Sequence, residues 1–174
     1  RTKALGNKMR IGIFGGSFNP PHLGHLNSLQ TVAKKAGLDI VRVIPAAQNP
    51  LKVQIEGATA EQRLEMTKLA LNGWGEQFVV DDQEIIRGGK SYTIDTIKQI
   101  RKTTEAEELY LILGMDQFDQ LGEWKNFDQI LKETNIIFTS RPGFNFPESV
   151  DELPSYLKPL VADFDFNFIE LTTG

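Results

Sequence analysis

Both histidines of the 174-residue chain, His22 and His25, fall in one segment, Gly15-Gly16-Ser17-Phe18-Asn19-Pro20-Pro21-His22-Leu23-Gly24-His25. They stand three residues apart, so a helix beginning near His22 carries both rings on one side of its first turn. Two imidazoles beside a glycine pair form a donor cluster suited to polyphosphate oxygens. Gly15 and Gly16 let the backbone turn tightly and let a ligand approach without interference from Cβ. The N–H groups opening the next helix, with about half a positive charge from its dipole, favour a phosphate. Each part alone is weak. A single histidine at a helix start is more often solvated or a cap, and glycine pairs after strands are common turn formers. A zinc site lacks ligands, because the chain has no cysteine and no third histidine. Neither G-x-G-x-x-G nor G-x-x-x-x-G-K-[ST] occurs, so dinucleotide oxidoreductases and P-loop enzymes lack their motifs. The combination of glycine pair, hydroxyl and H-x-G-H points to a site for polyphosphate oxygens.

Such a site needs a strand before it and a helix after it, and the surrounding pattern supplies both. Arg10 to Phe14 is a short apolar run that stops at the glycine pair, and Leu26 to Ala36 reads as a helix ending at Gly37. Lys34 and Lys35 sit in its last turn, where cations suit the dipole. Ile40 to Ile44 is a second strand. Thr59 and Gln62 stand at capping-box spacing and open a helix running to Asn72, closed by Gly73. Phe78 to Val80 is a third strand and Thr93 to Lys102 a further helix. Leu109 to Leu113, the most apolar strand, ends at Gly114, and a broken helical region spans Met115 to Glu133. Asn135 to Thr139 and Phe166 to Leu171 are the last strands, with a second capping-box candidate at Ser149 and Glu152. This βα alternation predicts an α/β protein with a doubly wound, Rossmann-like parallel sheet, whose ligands lie beyond the carboxyl ends of the strands.

Bulk properties narrow the partners. No run approaches the roughly 20 apolar residues of a membrane span, and no secretory signal is visible. Net charge is −4, against a general nucleic-acid binder. The absence of cysteine agrees with a reducing compartment, and a cytoplasmic location is expected. No nucleic-acid or membrane partner is expected, and assembly into a homo-oligomer is left open. Residues 1–8 hold Arg1, Lys3 and Lys8 without an acid, and read as a disordered leader or remnant before a candidate start at Met9. Residues 9–174 read as one domain.

The segment G-G-S-F-N-P-P-H-L-G-H resembles the nucleotide-binding motif of the nucleotidyltransferase superfamily, and the chain most resembles its bacterial nicotinate mononucleotide adenylyltransferases. Further blocks follow in that family's order: Asn49-Pro50-Leu51-Lys52, Ser91-Tyr92-Thr93-Ile94-Asp95-Thr96, Gly114-Met115-Asp116, Leu121-Gly122-Glu123-Trp124 and Ser140-Arg141-Pro142-Gly143. The resemblance covers essentially Arg10 to the end. H-x-G-H fixes only the superfamily; the S-Y-T-x-D-T block and the tryptophan are far more specific. The family's second phosphate motif, I-S-S-T-x-I-R, has no counterpart before Gly174, so the domain is expected to lack its C-terminal end.

The resemblance implies transfer of the adenylyl group of ATP to nicotinate mononucleotide, with Mg²⁺ held mainly through the ATP phosphates and no metal-ligating side chains of its own. It implies His22, His25 and Lys52 as the catalytic donors. It places Gly15, Gly16, Ser17, Phe18, His22, His25, Gly114, Asp116 and Arg141 around ATP. It places Ser17, Asn49, Lys52, Ser91, Tyr92, Thr93, Trp124 and Lys125 around nicotinate mononucleotide. Trp124 would stack on the pyridine ring, and the backbone N–H groups of Thr93 and Lys125 would meet its carboxylate. From the residues alone, Lys52 is equally a solvated charge, Asp116 equally an N-cap, Arg141 equally a surface residue, and Trp124 more often ordinary packing; Trp74 reads as packing. Nicotinamide mononucleotide or phosphopantetheine as acceptor, a CTP-using relative acting on a phospho-alcohol, and a nucleotide-binding sensor without turnover remain as alternatives. A class I tRNA-synthetase fragment lacks its lysine-rich loop and a basic RNA face.

Overall fold

A computed structural model describes residues 9–16, 18, 23–47, 57–103, 108–114, 121, 123–140, 150–152, 155, 158 and 167–170. Six strands form its sheet: β1 Arg10–Gly16, β2 Ile40–Pro45, β3 Phe78–Val80, β4 Glu108–Gly114, β5 Asn135–Ser140 and β6 Asn167–Glu170. They lie in the order β3-β2-β1-β4-β5-β6. Every pairing is parallel. Strand order therefore reverses between β1 and β4, and the crevice at their carboxyl ends is where this topology admits a ligand. Five helices accompany the sheet among the described residues: α1 Leu23–Ala36, α2 Ala60–Ala70, α3 Gln83–Arg87, α4 Thr93–Thr103 and α5 Phe127–Glu133. None of these is long and apolar enough to cross a membrane.

Alternation along the strands sorts the core into two layers. Ile11 and Ile13 of β1, Leu109, Leu111 and Leu113 of β4, and Ile136 and Phe138 of β5 pack with Ile94, Ile97 and Ile100 of α4 and Ile130 of α5. Val41 and Val43 of β2, Ile112 and Ile137 pack with Leu29, Val32 and Ala33 of α1. On that second face the residue between Ile11 and Ile13 is Gly12. A Cβ there would lie 2.7 Å from Leu38 Cδ1 and 3.1 Å from Ile112 Cδ1, so the close approach of the α1–β2 connection depends on its having no side chain.

The expected elements form, with some shifts. Helix α1 begins at Leu23, three residues before the apolar periodicity starts, which puts His25 in its first turn. The capping box at Thr59 is present: its hydroxyl accepts from the Gln62 N–H, and Gln62 Oε1 accepts from the Thr59 N–H. That helix stops at Ala70 with Leu71 as its cap, short of Asn72. Of the expected broken helical region, α5 forms, entered through Asn126 in a left-handed conformation, and residues 115–120 and 122 lie outside the described residues. Ser149 lies outside the described residues, and Val150–Glu152 forms a short 3-10 turn. Trp74 packs edge-on to Phe78 at 5.3 Å.

Candidate active site

The carboxyl end of β1 is shaped by an aromatic anchor. Phe18 has φ of 49°, a left-handed backbone that a bulky residue adopts at a cost, on the order of 1 kcal/mol. Its ring is 8% exposed and lies 5.7 Å from Phe14, so burial worth about 2 kcal/mol offsets that cost. Gly16 makes room for it, since a Cβ at that position would sit 3.2 Å from the Phe18 ring. Helix α1 then runs 14 residues with no acid in its first turn, leaving the positive end of its dipole uncompensated by its own side chains. Ser17 and His22 lie outside the described residues, as does the side chain of His25, whose backbone is in the first turn of α1.

Beside this turn, Ala46 and Ala47 follow the end of β2. The Ala46 N–H donates to the Gly16 carbonyl at 2.8 Å, tying the two strand ends together. From α2, the Arg63 guanidinium, 2% exposed, donates to the Ala46 carbonyl at 2.6 Å and the Ala47 carbonyl at 3.1 Å. Burial lowers its pKa, and the charge of Glu61 partly restores it. The chain continues from Ala47 into the segment holding Asn49 and Lys52, which is outside the described residues. Gly114 closes β4 in register with Thr139 of β5. Asp116 and Arg141 also lie outside the described residues.

Four expected residues come together across the sheet edge. Tyr92 precedes α4, and its carbonyl accepts from the N–H groups of Asp95 at 3.1 Å and Thr96 at 3.4 Å. Thr93 opens the helix, so its own N–H has no carbonyl one turn back to bond. Tyr92 and Trp124 both pack, half-buried, against the core layer containing Ile94 and Leu121. The Lys125 ammonium sits 4.7 Å from the centre of the Tyr92 ring. Two aromatic residues and a helix N-terminus thus share one corner, a setting for a flat ring bearing a carboxylate.

Ser91 sits behind this corner. It is 8% exposed, and its hydroxyl accepts from the Ala47 N–H at 3.0 Å. The hydroxyl also bonds the carboxylate of Glu84, a residue of α3 that the sequence did not single out. Thr96, 1% exposed, donates to the same carboxylate at 2.5 Å and accepts from Arg87 at 3.1 Å. Burial pushes the Glu84 carboxyl above its ordinary pKa; the hydrogen bonds from Thr96 and Ser91 and the charge of Arg87 pull back, and Asp81 adds to the rise. Neither Glu84 nor Arg63 carries a periodic signal: the one lies in a five-residue helix, the other in a stretch of charged residues that reads as a solvent face.

Among the described residues, no group of three or more His, Cys, Asp or Glu could hold a metal.

A parallel sheet in this order, with the glycine pair at the end of β1 beside the strand-order reversal and the H-x-G-H segment following in sequence, marks a Rossmann-like nucleotidyltransferase. Residues 13–169 match the cytidylyltransferase-like family model. A relative from Opitutus terrae, named "Probable nicotinate-nucleotide adenylyltransferase", is 41% identical over 143 residues, 82% of this chain and 73% of its own length. A relative of the same name from Pelobacter propionicus is 39% identical over 84% of this chain and 67% of its own. The chain belongs to the nicotinate-nucleotide adenylyltransferase family. Its fold matches that of the Plasmodium falciparum nicotinic acid mononucleotide adenylyltransferase solved with NaAD, at a TM-score of 0.70 and 19% identity, over 95% of this chain and 75% of that one.

Proposed function

We propose that the chain transfers the adenylyl group of ATP to nicotinate mononucleotide, forming nicotinate adenine dinucleotide and pyrophosphate. The observation that carries this reading is the corner where Tyr92, Trp124 and the start of α4 meet at the same sheet edge as the Gly15-Gly16 turn. In this reading ATP lies along the β1–α1 turn, with Gly114 and Asp116 beside its ribose and Arg141 at the border. Nicotinate mononucleotide lies in the aromatic corner, its ring on Trp124 and its carboxylate on the backbone N–H groups of Thr93 and Lys125. Donors without a titrating charge favour the carboxylate over the neutral amide of nicotinamide mononucleotide.

An oxygen of the mononucleotide phosphate attacks the α-phosphorus of ATP in line. A new P–O bond forms, the bond from the α-phosphorus to the β-bridging oxygen breaks, and the electron pair leaves with pyrophosphate. The attacking phosphate is already anionic, so no general base and no covalent enzyme intermediate are needed. Catalysis rests on positioning and on donors aimed at the charge that builds on the phosphates. His22, His25, Lys52 and the N-terminus of α1 fill that role in this reading. Mg²⁺ riding on the triphosphate would neutralise part of its charge.

The test is pyrophosphate release from ATP and Mg²⁺ with nicotinate mononucleotide, beside nicotinamide mononucleotide and phosphopantetheine. Turnover strongly favouring the nicotinate compound is expected. Equal turnover with the amide refutes the carboxylate pocket, and ATP binding without turnover on any acceptor refutes the reaction.

A further inference from the structure

Ala47, Ser91, Glu84 and Thr96 are linked by hydrogen bonds: Ala47 to Ser91, and Ser91 and Thr96 each to Glu84. The carboxylate of Glu84 is the hub. An ionised carboxylate only accepts, and it takes one hydroxyl hydrogen from Ser91 and one from Thr96. Because the Ser91 hydrogen is directed into Glu84, the lone pairs of Ser91 face outward and one receives the Ala47 N–H. Because the Thr96 hydrogen is also committed, its oxygen is open to the Arg87 guanidinium at 3.1 Å. One acid therefore sets the direction of two hydroxyl groups, and these flank Tyr92 and Thr93 in sequence on either side. The backbone at Ala47 is fixed by the same network on one side and by Arg63 on the other. Among the described residues, Ala46 ties this network to the end of β1 through the bond from its N–H to the Gly16 carbonyl, next to the pairing of β1 with β2.

We propose that Glu84 is a positioning residue for the acceptor substrate: it fixes the Tyr92–Thr93 edge of the pocket against the Ala47 turn that leads to Asn49 and Lys52, leaving the ATP side unaffected. This rests on the assignment of the Tyr92–Trp124 corner to nicotinate mononucleotide. A neutral amide in place of the carboxylate presents one acceptor and one donor. It can satisfy only one of the two hydroxyl hydrogens, so the other hydroxyl must turn to accept from the amide N–H groups and its hydrogen loses its acceptor, although the volume is unchanged. The residue at 84 thereby acts on acceptor affinity through Ser91 and Thr96, and does not itself reach the substrate.

The experiment compares Glu84→Gln, Thr96→Val and Thr96→Ser with the unaltered full chain, measuring kcat, KM for each substrate and Tm. Thr134→Val serves as a stability control, since that buried hydroxyl bonds the Ile130 carbonyl at 2.8 Å at the opposite end of the strands. Glu84→Gln and Thr96→Val are expected to raise KM for nicotinate mononucleotide about ten-fold, the effect of one lost buried hydrogen bond. KM for ATP should stay within two-fold, Thr96→Ser should restore acceptor KM, and Thr134→Val should lower Tm alone. Acceptor KM within two-fold of the unaltered chain in both hydroxyl-breaking variants overturns the proposal. So does a parallel rise in both KM values, which marks general loosening. If Glu84→Gln does not fold, the Thr96→Val and Thr96→Ser pair decides by itself. Absence of nicotinate-dependent turnover in the unaltered chain is a different failure: it removes the functional assignment, and this proposal with it.

Discussion

Replacing Arg63 by methionine tests how the end of β2 is held. Arg63 is 2% exposed, and its guanidinium is the donor to two carbonyls, Ala46 at 2.6 Å and Ala47 at 3.1 Å. Methionine has similar length and fills much of the volume but donates nothing. Hydrogen bonds from a charged group contribute about 1.5–3 kcal/mol each, and a buried carbonyl left bare costs about 1–3 kcal/mol. Ala46 is buried and Ala47 only half-buried, so the first bond should cost near the upper figure and the second near the lower. Removal of a desolvated cation returns part of this, the effect that makes buried ions poor sources of net stability. A net loss of about 3 kcal/mol remains. For a domain of this length each kcal/mol lowers Tm by roughly 2–4 °C, so a fall of roughly 6–12 °C is expected. Arg63→Lys, with one compact ammonium unable to span both carbonyls, should lose about half as much. Thermal unfolding followed by circular dichroism is the assay, with KM for both substrates measured below the transition. A methionine variant as stable as the unaltered chain would refute the argument that the guanidinium, rather than packing of its stem, secures this turn.

Four other perturbations separate the parts of the site. His25→Ala should lower kcat about 100-fold, the usual effect of losing one preorganised donor, with Tm nearly unchanged; unimpaired turnover removes His25 from the catalytic set. Trp124→Ala should raise KM for nicotinate mononucleotide about ten-fold by loss of ring stacking, and an equal rise in KM for ATP would count against its place at the acceptor. Gly16→Ala puts a methyl 3.2 Å from the Phe18 ring, and should cost about 1–3 kcal/mol and raise KM for ATP; a variant unchanged in both shows that Phe18 is free to yield. The Glu84 carboxyl, raised by burial against the pull of Thr96, Ser91 and Arg87, contributes stability that is present below the ordinary glutamate pKa and lost as pH rises through its folded value. The difference in Tm between Glu84→Gln and the unaltered chain should therefore shift in favour of the variant as pH rises from below the ordinary glutamate pKa to neutral, and a constant difference over that range shows that the carboxyl is not raised.

How much of this was legible in the sequence follows from the kind of signal each feature leaves. The strands announced themselves because β1, β4 and β5 are buried on both faces and so read as unbroken apolar runs. The capping box of α2 was visible because it is a local rule written in residues 59 and 62. The start of α1 was placed too late because Leu23-Gly24-His25 contains no apolar repeat; the helix begins there anyway, in the ligand motif itself. The corner of Tyr92, Thr93, Trp124 and Lys125 was named through family resemblance, since nothing in their spacing predicts that residues about 30 positions apart meet. Helix α3, Glu84 and Arg63 were missed for a common reason. They are polar residues buried by tertiary pairing, and periodicity scores such residues as exposed.

These missed residues bear on how one fold can treat two substrates separately. Helix α1 lies against the face formed by Val41, Val43, Ile112 and Ile137, and α4 against the opposite face formed by Ile11, Ile13, Leu109 and Leu111. The glycine turn and the aromatic corner therefore reach the crevice between β1 and β4 from opposite sides of the sheet. Apolar packing fixes each helix to its own layer but transmits little between the layers, because the sheet stands between them. Among the described residues, polar ties at the strand ends cross: Gly16 to Ala46, Arg63 to Ala46 and Ala47, Ala47 to Ser91, and Ser91 to Glu84. A cut near Glu84 should therefore register in the acceptor constants alone. A cut at Arg63, midway along this chain of bonds, should move the constants for both substrates. The ratio of the two KM changes, measured across Glu84→Gln, Arg63→Met and Gly16→Ala, should run monotonically from acceptor to ATP. A ratio that does not follow this order would mean that the two sides are coupled through the sheet itself.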